Sequence, residues 1–139
     1  MRAAIDGATA AVGRETDEVT RILYVDDEAD IREVAEMSLA LDPEFEIRTA
    51  ASGAEAVAAA HAWRPQLILL DVMMPGTDGP AVLAQLAEDQ ATAAIPIVFI
   101  TARTQAQEVA ALKALGALGV IAKPFDPMSL AAQVRGFLR

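Results

Sequence analysis

Branched apolar residues form three short unbroken runs along the chain, and each run predicts a strand that is buried on both faces. The runs are residues 22–25, 67–70 and 97–100. Strands covered on both sides are typical of parallel sheets, where helices pack against each face. Two weaker candidates, residues 45–49 and 120–122, predict a second and a fifth strand.

Between these runs, apolar residues recur at the spacing of surface helices that bury one face. The stripes are Ile31, Val34, Ala35 and Leu41; Ala54, Val57 and Ala58; Val82, Leu83 and Leu86; Val109, Leu112 and Leu115; and Leu130, Val134, Phe137 and Leu138. Strand and helix therefore alternate five times. This order predicts an α/β fold, a doubly wound parallel sheet with right-handed crossovers and helices on both faces.

Three helix starts carry local signals. Ser52 with Glu55, and Thr104 with Gln107, have the spacing of a capping box, in which two side chains satisfy free backbone N–H groups reciprocally. Asp126 precedes a proline, which predicts another helix start because the first helical position needs no N–H donor.

Length and composition limit the classes of function. The 139 residues suit one domain, so a second output domain is not expected. The net charge is −9 with scattered basic residues, and direct nucleic-acid binding is therefore not expected. No apolar run approaches the roughly 18 residues of a membrane span. The chain has no cysteine, which excludes thiolate chemistry and is compatible with the expected cytoplasmic location.

The first twenty residues are interpreted separately from the rest. Asp6, Gly7, Gly13 and Arg14 interrupt any apolar stretch, so a secretory signal is not expected. Residues 1–20 are predicted to be a flexible extension, with a short extra helix as the alternative, and residues 21–139 to be one domain.

Polar residues follow four of the five predicted strands, at the edge where ligands bind in doubly wound sheets. They are Asp26 and Asp27, Asp71, Thr101 and Lys123. Each has an ordinary explanation as a helix cap, a turn residue or a solvated side chain. Together they favour a functional site, because three converging carboxylates repel one another unless a cation or proton intervenes.

The residue types in this set indicate phosphoryl transfer. Hard carboxylate oxygens suit Mg²⁺, which keeps several waters and leaves room for a phosphate. Lys123 and Thr101 would supply a positive charge and a hydroxyl donor to an incoming phosphoryl group. His61 lies in the predicted second helix and is not expected to be a ligand.

Four motifs at these strand ends resemble those of the receiver domain of two-component response regulators. They are Val25-Asp26-Asp27-Glu28, Leu70-Asp71-Val72-Met73-Met74-Pro75-Gly76 with Asp78-Gly79 following, Ile100-Thr101-Ala102, and Ala122-Lys123-Pro124-Phe125. The resemblance covers residues 21–139. It implies a flavodoxin-like sheet in the strand order 2-1-3-4-5, and a Lys123–Pro124 bond that is usually cis.

The resemblance also implies a role for each site residue. Asp71 matches the phosphoacceptor and, with Asp27, a direct ligand of Mg²⁺ or Mn²⁺. Asp26 matches an acidic neighbour that holds the metal mainly through water, and Met73 the position whose backbone carbonyl completes the coordination. Lys123 matches the lysine that pairs with phosphoryl oxygens, and Thr101 the hydroxyl that turns toward them.

The function that the resemblance implies is that of a stand-alone, chemotaxis-regulator-like receiver. A histidine kinase or histidine phosphotransferase would donate a phosphoryl group to Asp71, and the modified protein would change its affinity for a downstream protein effector. Such a protein assists its own phosphotransfer and dephosphorylation but is not expected to be an enzyme in the usual sense.

One residue departs from the family pattern, and three other interpretations stay open. Val120 stands three residues before Lys123, where the family usually has an aromatic ring that rotates inward, so coupling from Thr101 is expected to use other side chains or to be weak. The alternatives are a receiver that binds partners without phosphorylation, a receiver cut from a larger regulator, and a phosphoaspartate hydrolase of the haloacid dehalogenase type. That last family needs an acid at position 73, where this chain has methionine.

Overall fold

Five parallel strands form the central sheet of the computed structural model, which describes residues 19–139. They are β1 (Thr20–Val25), β2 (Phe45–Ala50), β3 (Leu67–Asp71), β4 (Ile97–Thr101) and β5 (Gly119–Ala122). Their order is β2-β1-β3-β4-β5. The predicted strands and their order are confirmed. Residues 1–18 of the predicted extension lie outside the described residues, and Thr20 already belongs to β1.

In the described residues, four helices connect the strands and a fifth follows β5, and together they cover both faces of the sheet. They are α1 (Ala29–Leu39), α2 (Gly53–Trp63), α3 (Gly79–Ala87), α4 (Ala106–Ala114) and α5 (Leu130–Leu138). One buried cluster joins the sheet to α1 and α5, and the other joins it to α2 and α3, with Leu112 of α4 packing at its margin. None of the described helices is long and apolar enough to cross a membrane.

Strand β3 shows why an unbroken apolar run was needed. Leu67 and Leu69 belong to the cluster under α1 and α5, whereas Ile68 and Leu70 belong to the cluster on the opposite face. All four are fully buried. Each such side chain contributes roughly 1.5–3 kcal/mol when it leaves water, so both faces of the strand must be apolar.

The capping signal at α2 is confirmed. Ser52 Oγ accepts a hydrogen bond from Glu55 N–H at 3.2 Å, and Glu55 Oε1 accepts one from Ala51 N–H at 2.8 Å. The returning bond therefore goes to the residue before the cap. At α3, Asp78 Oδ1 accepts a hydrogen bond from Ala81 N–H at 3.0 Å, and Pro80 stands in the first turn, where it costs no hydrogen bond.

The capping signal at Thr104 was wrong. Helix α4 begins after Gln105, whose side chain makes no capping hydrogen bond to the described residues. The Gln107 side chain instead donates to Gln105 Oε1 at 3.2 Å.

Asp126 begins a turn, because its Oδ1 accepts a hydrogen bond from Met128 N–H at 2.9 Å. The regular helix α5 follows at Leu130. The Lys123–Pro124 bond is cis, as the resemblance implied.

Trp63 is the last residue of α2. It lies near the amino end of β1, on the opposite side of the sheet from the carboxyl ends of the strands. Its indole lies 4.7 Å from the Arg48 guanidinium and 5.9 Å from that of Arg21, measured to the ring centroid. Arg21 Nη2 also donates to the Arg64 carbonyl at 2.8 Å. Trp63 and Arg64 therefore pack over this end of the sheet through contacts with Arg21 and Arg48.

Gly79 brings the start of α3 against the backbone that carries Asp71. A Cβ at this position would lie 2.7 Å from the Asp71 carbonyl oxygen and 2.9 Å from Val72 Cα. Because these neighbours are backbone atoms, we expect Gly79→Ala to lower the free energy of unfolding by about 2–3 kcal/mol, measured by urea denaturation. A Gly136→Ala control in α5 meets no described atom within 4 Å, and should stabilise by up to about 1 kcal/mol. Equal stability of both variants would contradict the expected close contact.

Candidate functional site

The carboxyl edge of the sheet gathers the polar residues that the sequence singled out. Asp26 follows β1, Asp71 ends β3, Thr101 ends β4 and Lys123 follows β5. Backbone hydrogen bonds continue past the strands and align these ends. Val72 N–H donates to the Ile100 carbonyl at 3.1 Å, and Lys123 N–H donates to the Thr101 carbonyl at 2.9 Å.

Three carboxylates meet at this edge. Asp26, Asp27 and Asp71 each offer an oxygen, and these oxygens lie within 4.8 Å of one another. Asp26 is 0% and Asp71 3% exposed, whereas Asp27 is exposed. The cluster is therefore buried on the side of the sheet and open to solvent at Asp27.

Lys123 is the positive charge of the cluster. Its Nζ lies 3.0 Å from Asp26 Oδ2, 3.3 Å from Asp71 Oδ2 and 3.5 Å from Glu28 Oε1. Burial alone would lower the pKa of Lys123, but the hydrogen bond to Asp26 and the charge of Asp71 together raise it above its ordinary value. The ammonium group therefore stays charged and links two carboxylates.

Lys123 does not fully neutralise Asp71. Burial and, next, the charge of Asp26 raise the pKa of Asp71, and Lys123 and the Met73 N–H group offset this only in part. A further cation would relieve the remaining repulsion. The donor set consists of hard carboxylate oxygens, which fits Mg²⁺ or Mn²⁺.

Asp26 is fixed at both of its carboxylate oxygens. Oδ1 accepts a hydrogen bond from Glu28 N–H at 2.9 Å, and Oδ2 accepts from the Tyr24 hydroxyl at 3.1 Å as well as from Lys123. The sequence analysis did not include Tyr24 in the site. A signal was present, because residues two apart in a strand point to the same face, and Tyr24 is a polar group two residues before Asp26.

Met73 and Thr101 lie beside this cluster in different ways. Met73 N–H donates to Asp71 Oδ1 at 3.3 Å, which places the Met73 peptide next to the acidic cluster, while its side chain is 68% exposed. Thr101 is buried, and its Oγ1 accepts a hydrogen bond from Arg103 N–H at 3.0 Å.

His61 lies outside this group of residues. It is on α2, and its Nε2 is 3.2 Å from Asp89 Oδ2, with both side chains partly exposed. The sequence placed His61 away from the strand ends, and the structure agrees.

Comparisons with known proteins give matches over most of the chain. Residues 22–135 match the family described as the Response regulator receiver domain. The transcriptional regulatory protein ResD of Bacillus subtilis is 42% identical over 121 residues, which is 86% of this chain and 48% of ResD. The DNA-binding response regulator MtrA of Mycobacterium leprae is 39% identical over 120 residues, 86% of this chain and 51% of MtrA. The chain thus spans about half the length of these curated relatives.

Solved structures of similar length share the fold. The chemotaxis response regulator CheY4 of Vibrio cholerae superposes with a TM-score of 0.78 at 31% identity, over 86% of this chain and 98% of CheY4. A response regulator of Chloroflexus aurantiacus also gives a TM-score of 0.78 at 31% identity, over 87% of this chain and 98% of the other.

Proposed function

Because the chain belongs to the response regulator receiver family, we propose that it is a phosphorylation-controlled switch that accepts a phosphoryl group on Asp71. Aspartyl phosphorylation is characteristic of this family. The observation that carries the proposal is the position of Asp71, buried at a strand end within 3.3 Å of Lys123 and beside two further aspartates.

The reaction is in-line attack by an Asp71 carboxylate oxygen on the phosphorus of a phosphohistidine. The new O–P bond forms as the P–N bond to the donor histidine breaks, and the imidazole leaves with the bonding electron pair. Asp26, Asp27, Asp71 and the Met73 carbonyl would hold Mg²⁺, which would neutralise negative charge on the phosphoryl oxygens. The protein contributes position and electrostatics rather than a separate nucleophile.

Lys123 takes part by changing partners. In the structure its ammonium group pairs with Asp26 and Asp71. When Asp71 carries a phosphoryl group, the ammonium group pairs with a phosphoryl oxygen, where negative charge has increased. The lysine therefore stays within the site and balances the added charge.

The switch begins at Thr101. Its hydroxyl now accepts a hydrogen bond from Arg103 N–H, and a turn toward the phosphoryl oxygens strains or breaks this bond. Arg103 leads into α4, which has no buried residue among those described. We propose that phosphorylation repositions this loop and helix. Since Val120 offers no aromatic ring, coupling to β5 passes through backbone and aliphatic contacts.

The proposed partners follow from the phosphoryl chemistry. A histidine kinase or histidine phosphotransferase donates the group, and a downstream protein effector responds to the modified surface. The net charge of −9 disfavours contact of this chain with nucleic acid, although MtrA is named as DNA-binding. The stand-alone role stays a prediction, as does the view that the protein assists its own phosphotransfer without acting on a separate substrate.

The test is incubation of the purified protein with acetyl phosphate and Mg²⁺, followed by rapid quenching and intact-mass measurement. We expect one added phosphoryl group, lost when EDTA is present, and located on the peptide that contains Asp71. An adduct at another residue would overturn the proposal. Absence of an adduct, together with absence of a Mg²⁺–beryllofluoride complex, would do the same.

A further inference from the structure

Tyr24 is a buried polar side chain whose contacts join it to the acidic cluster. It lies on β1 with 0% exposure, in the apolar cluster under α1 and α5. Its ring meets that of Phe125 edge-on, with centroids 6.3 Å apart and an interplanar angle of 74°. This packing limits the movement of the Tyr24 ring and of its hydroxyl. The hydroxyl donates a hydrogen bond to Asp26 Oδ2 at 3.1 Å.

One oxygen of Asp26 has two side-chain donors. Oδ2 accepts from Tyr24 O–H and from Lys123 Nζ at 3.0 Å. Asp26 is fully buried, so its charge depends on hydrogen bonds from the protein, and losing a partner is costly. When Lys123 moves to a phosphoryl oxygen, Tyr24 is the side-chain donor that remains on Oδ2.

We propose that Tyr24 is a positioning residue of the phosphorylation site: its hydroxyl holds Asp26 in place and so allows Lys123 to leave Asp26 for the phosphoryl group. This inference rests on the proposed function of Asp71. Tyr24 does not touch the reacting atoms, and it acts through Asp26.

The chemistry of Tyr24 suits a permanent donor. A phenol hydroxyl ionises only well above neutral pH, so the group that donates to Asp26 Oδ2 keeps its proton. Phe125, which packs against Tyr24, follows Lys123 and Pro124 directly in the chain. The loop that carries Lys123 therefore also supports, through Phe125, the ring of Tyr24. Tyr24 is the donor that stays on Asp26 when Lys123 leaves.

The first test is the variant Tyr24→Phe, which removes the hydroxyl and keeps the ring. We expect its affinity for beryllofluoride in saturating Mg²⁺, measured by calorimetry, to fall about tenfold, as for the loss of a hydrogen bond to a buried charge. Affinity for Mg²⁺ alone should fall less, because Lys123 still supports Asp26 in that state. A merely structural role would not separate these two affinities.

Thr92→Val is the matched control. Thr92 is buried, and its hydroxyl donates to the Leu86 carbonyl at 2.7 Å on the opposite face of the sheet. This variant should lose thermal stability as Tyr24→Phe does, yet bind beryllofluoride as the wild type does. If Tyr24→Phe also binds like the wild type, the inference about Tyr24 is overturned while the proposed function stands. If the wild type neither binds beryllofluoride nor accepts a phosphoryl group, the proposed function fails and this inference with it.

A second measurement avoids any folding defect of the variant. Tyr24 is the single tyrosine of the chain, so biosynthetic 3-fluorotyrosine labels this one site in the wild-type sequence. We expect its ¹⁹F resonance to shift when beryllofluoride is added in the presence of Mg²⁺, because the hydroxyl loses Lys123 as a competitor for Oδ2. A resonance that does not move when the complex forms would refute the role of Tyr24.

Discussion

Asparagine in place of Asp71 is expected to abolish phosphoryl acceptance and, at the same time, to stabilise the metal-free protein near neutral pH. The amide has no carboxylate oxygen to attack phosphorus, so no adduct should appear in the mass spectrum. Stability should rise because Asp71 is buried beside Asp26, and the neutral side chain removes that repulsion.

The stability gain should depend on pH with a defined sign. Burial and Asp26 raise the pKa of Asp71 above its ordinary value of 3.8, so the folded protein holds this proton more tightly than the unfolded chain. The wild type therefore loses stability as the pH rises from about 3.8 through the raised pKa. Asp71→Asn escapes this loss. Its advantage in urea denaturation should be absent at acidic pH and complete above the raised pKa.

Asp78→Asn provides the control for this experiment. Asp78 is exposed near the same loop, and asparagine preserves its capping hydrogen bond to α3. This variant should accept a phosphoryl group normally and show no comparable pH-dependent gain. An Asp71→Asn protein that is less stable than the wild type at neutral pH would show that Asp71 is held favourably by Lys123 rather than repelled by Asp26.

Removal of the Lys123 charge is expected to cost both stability and phosphorylation. Lys123→Met leaves Asp26 and Asp71 without their shared cation, and breaking such a pair costs about 3 kcal/mol of unfolding free energy. The rate of phosphorylation by acetyl phosphate in saturating Mg²⁺ should fall on the order of 100-fold, as for loss of one preorganised donor. Urea denaturation gives the free energy of unfolding, and quenched-flow mass measurements give the rate of phosphorylation.

The double variant Lys123→Met/Asp71→Asn separates the two partners of the lysine. With Asp71 neutral, one buried carboxylate rather than two loses its counter-charge, so the stability cost of Lys123→Met should be smaller than in the wild type. Lys113→Met, on the exposed surface of α4, should change neither quantity. An unchanged cost in the double variant would mean that Lys123 stabilises the fold through Asp26 and Glu28 rather than through Asp71.

The sheet could be predicted because its strands are buried on both faces, which forces continuous apolar runs such as residues 67–70. The weaker signal of β2 also has a physical reason. Phe45 and Ala50 are the only buried residues of this strand, since β2 is an outer strand of the sheet. The family suggested by the strand-end motifs is confirmed by the match of residues 22–135.

The sequence could predict which residues come together in the site, because the carboxyl ends of parallel strands lie side by side. It could not predict which of their atoms form hydrogen bonds. The bond between Lys123 and Asp26 joins residues 97 positions apart, and spacing along the chain does not tell whether the lysine chooses Asp26, Asp71 or both. Tyr24 was missed because it stands inside an apolar run and was counted with the core side chains, although its place two residues before Asp26 puts both on the same face of the strand. The helix start predicted at Thr104 was wrong because the spacing of two residues does not reveal where the chain turns into α4.

The indole of Trp63 lies close to the guanidinium groups of Arg21 and Arg48, away from the acidic cluster, and this position makes it a fluorescent probe of folding. It is the single tryptophan and is half-buried, so unfolding separates it from both guanidinium groups and changes its emission. The acidic cluster lies at the carboxyl edge of the sheet. Fluorescence therefore records folding independently of what occupies Asp71, and the same wavelength serves for every variant and ligand.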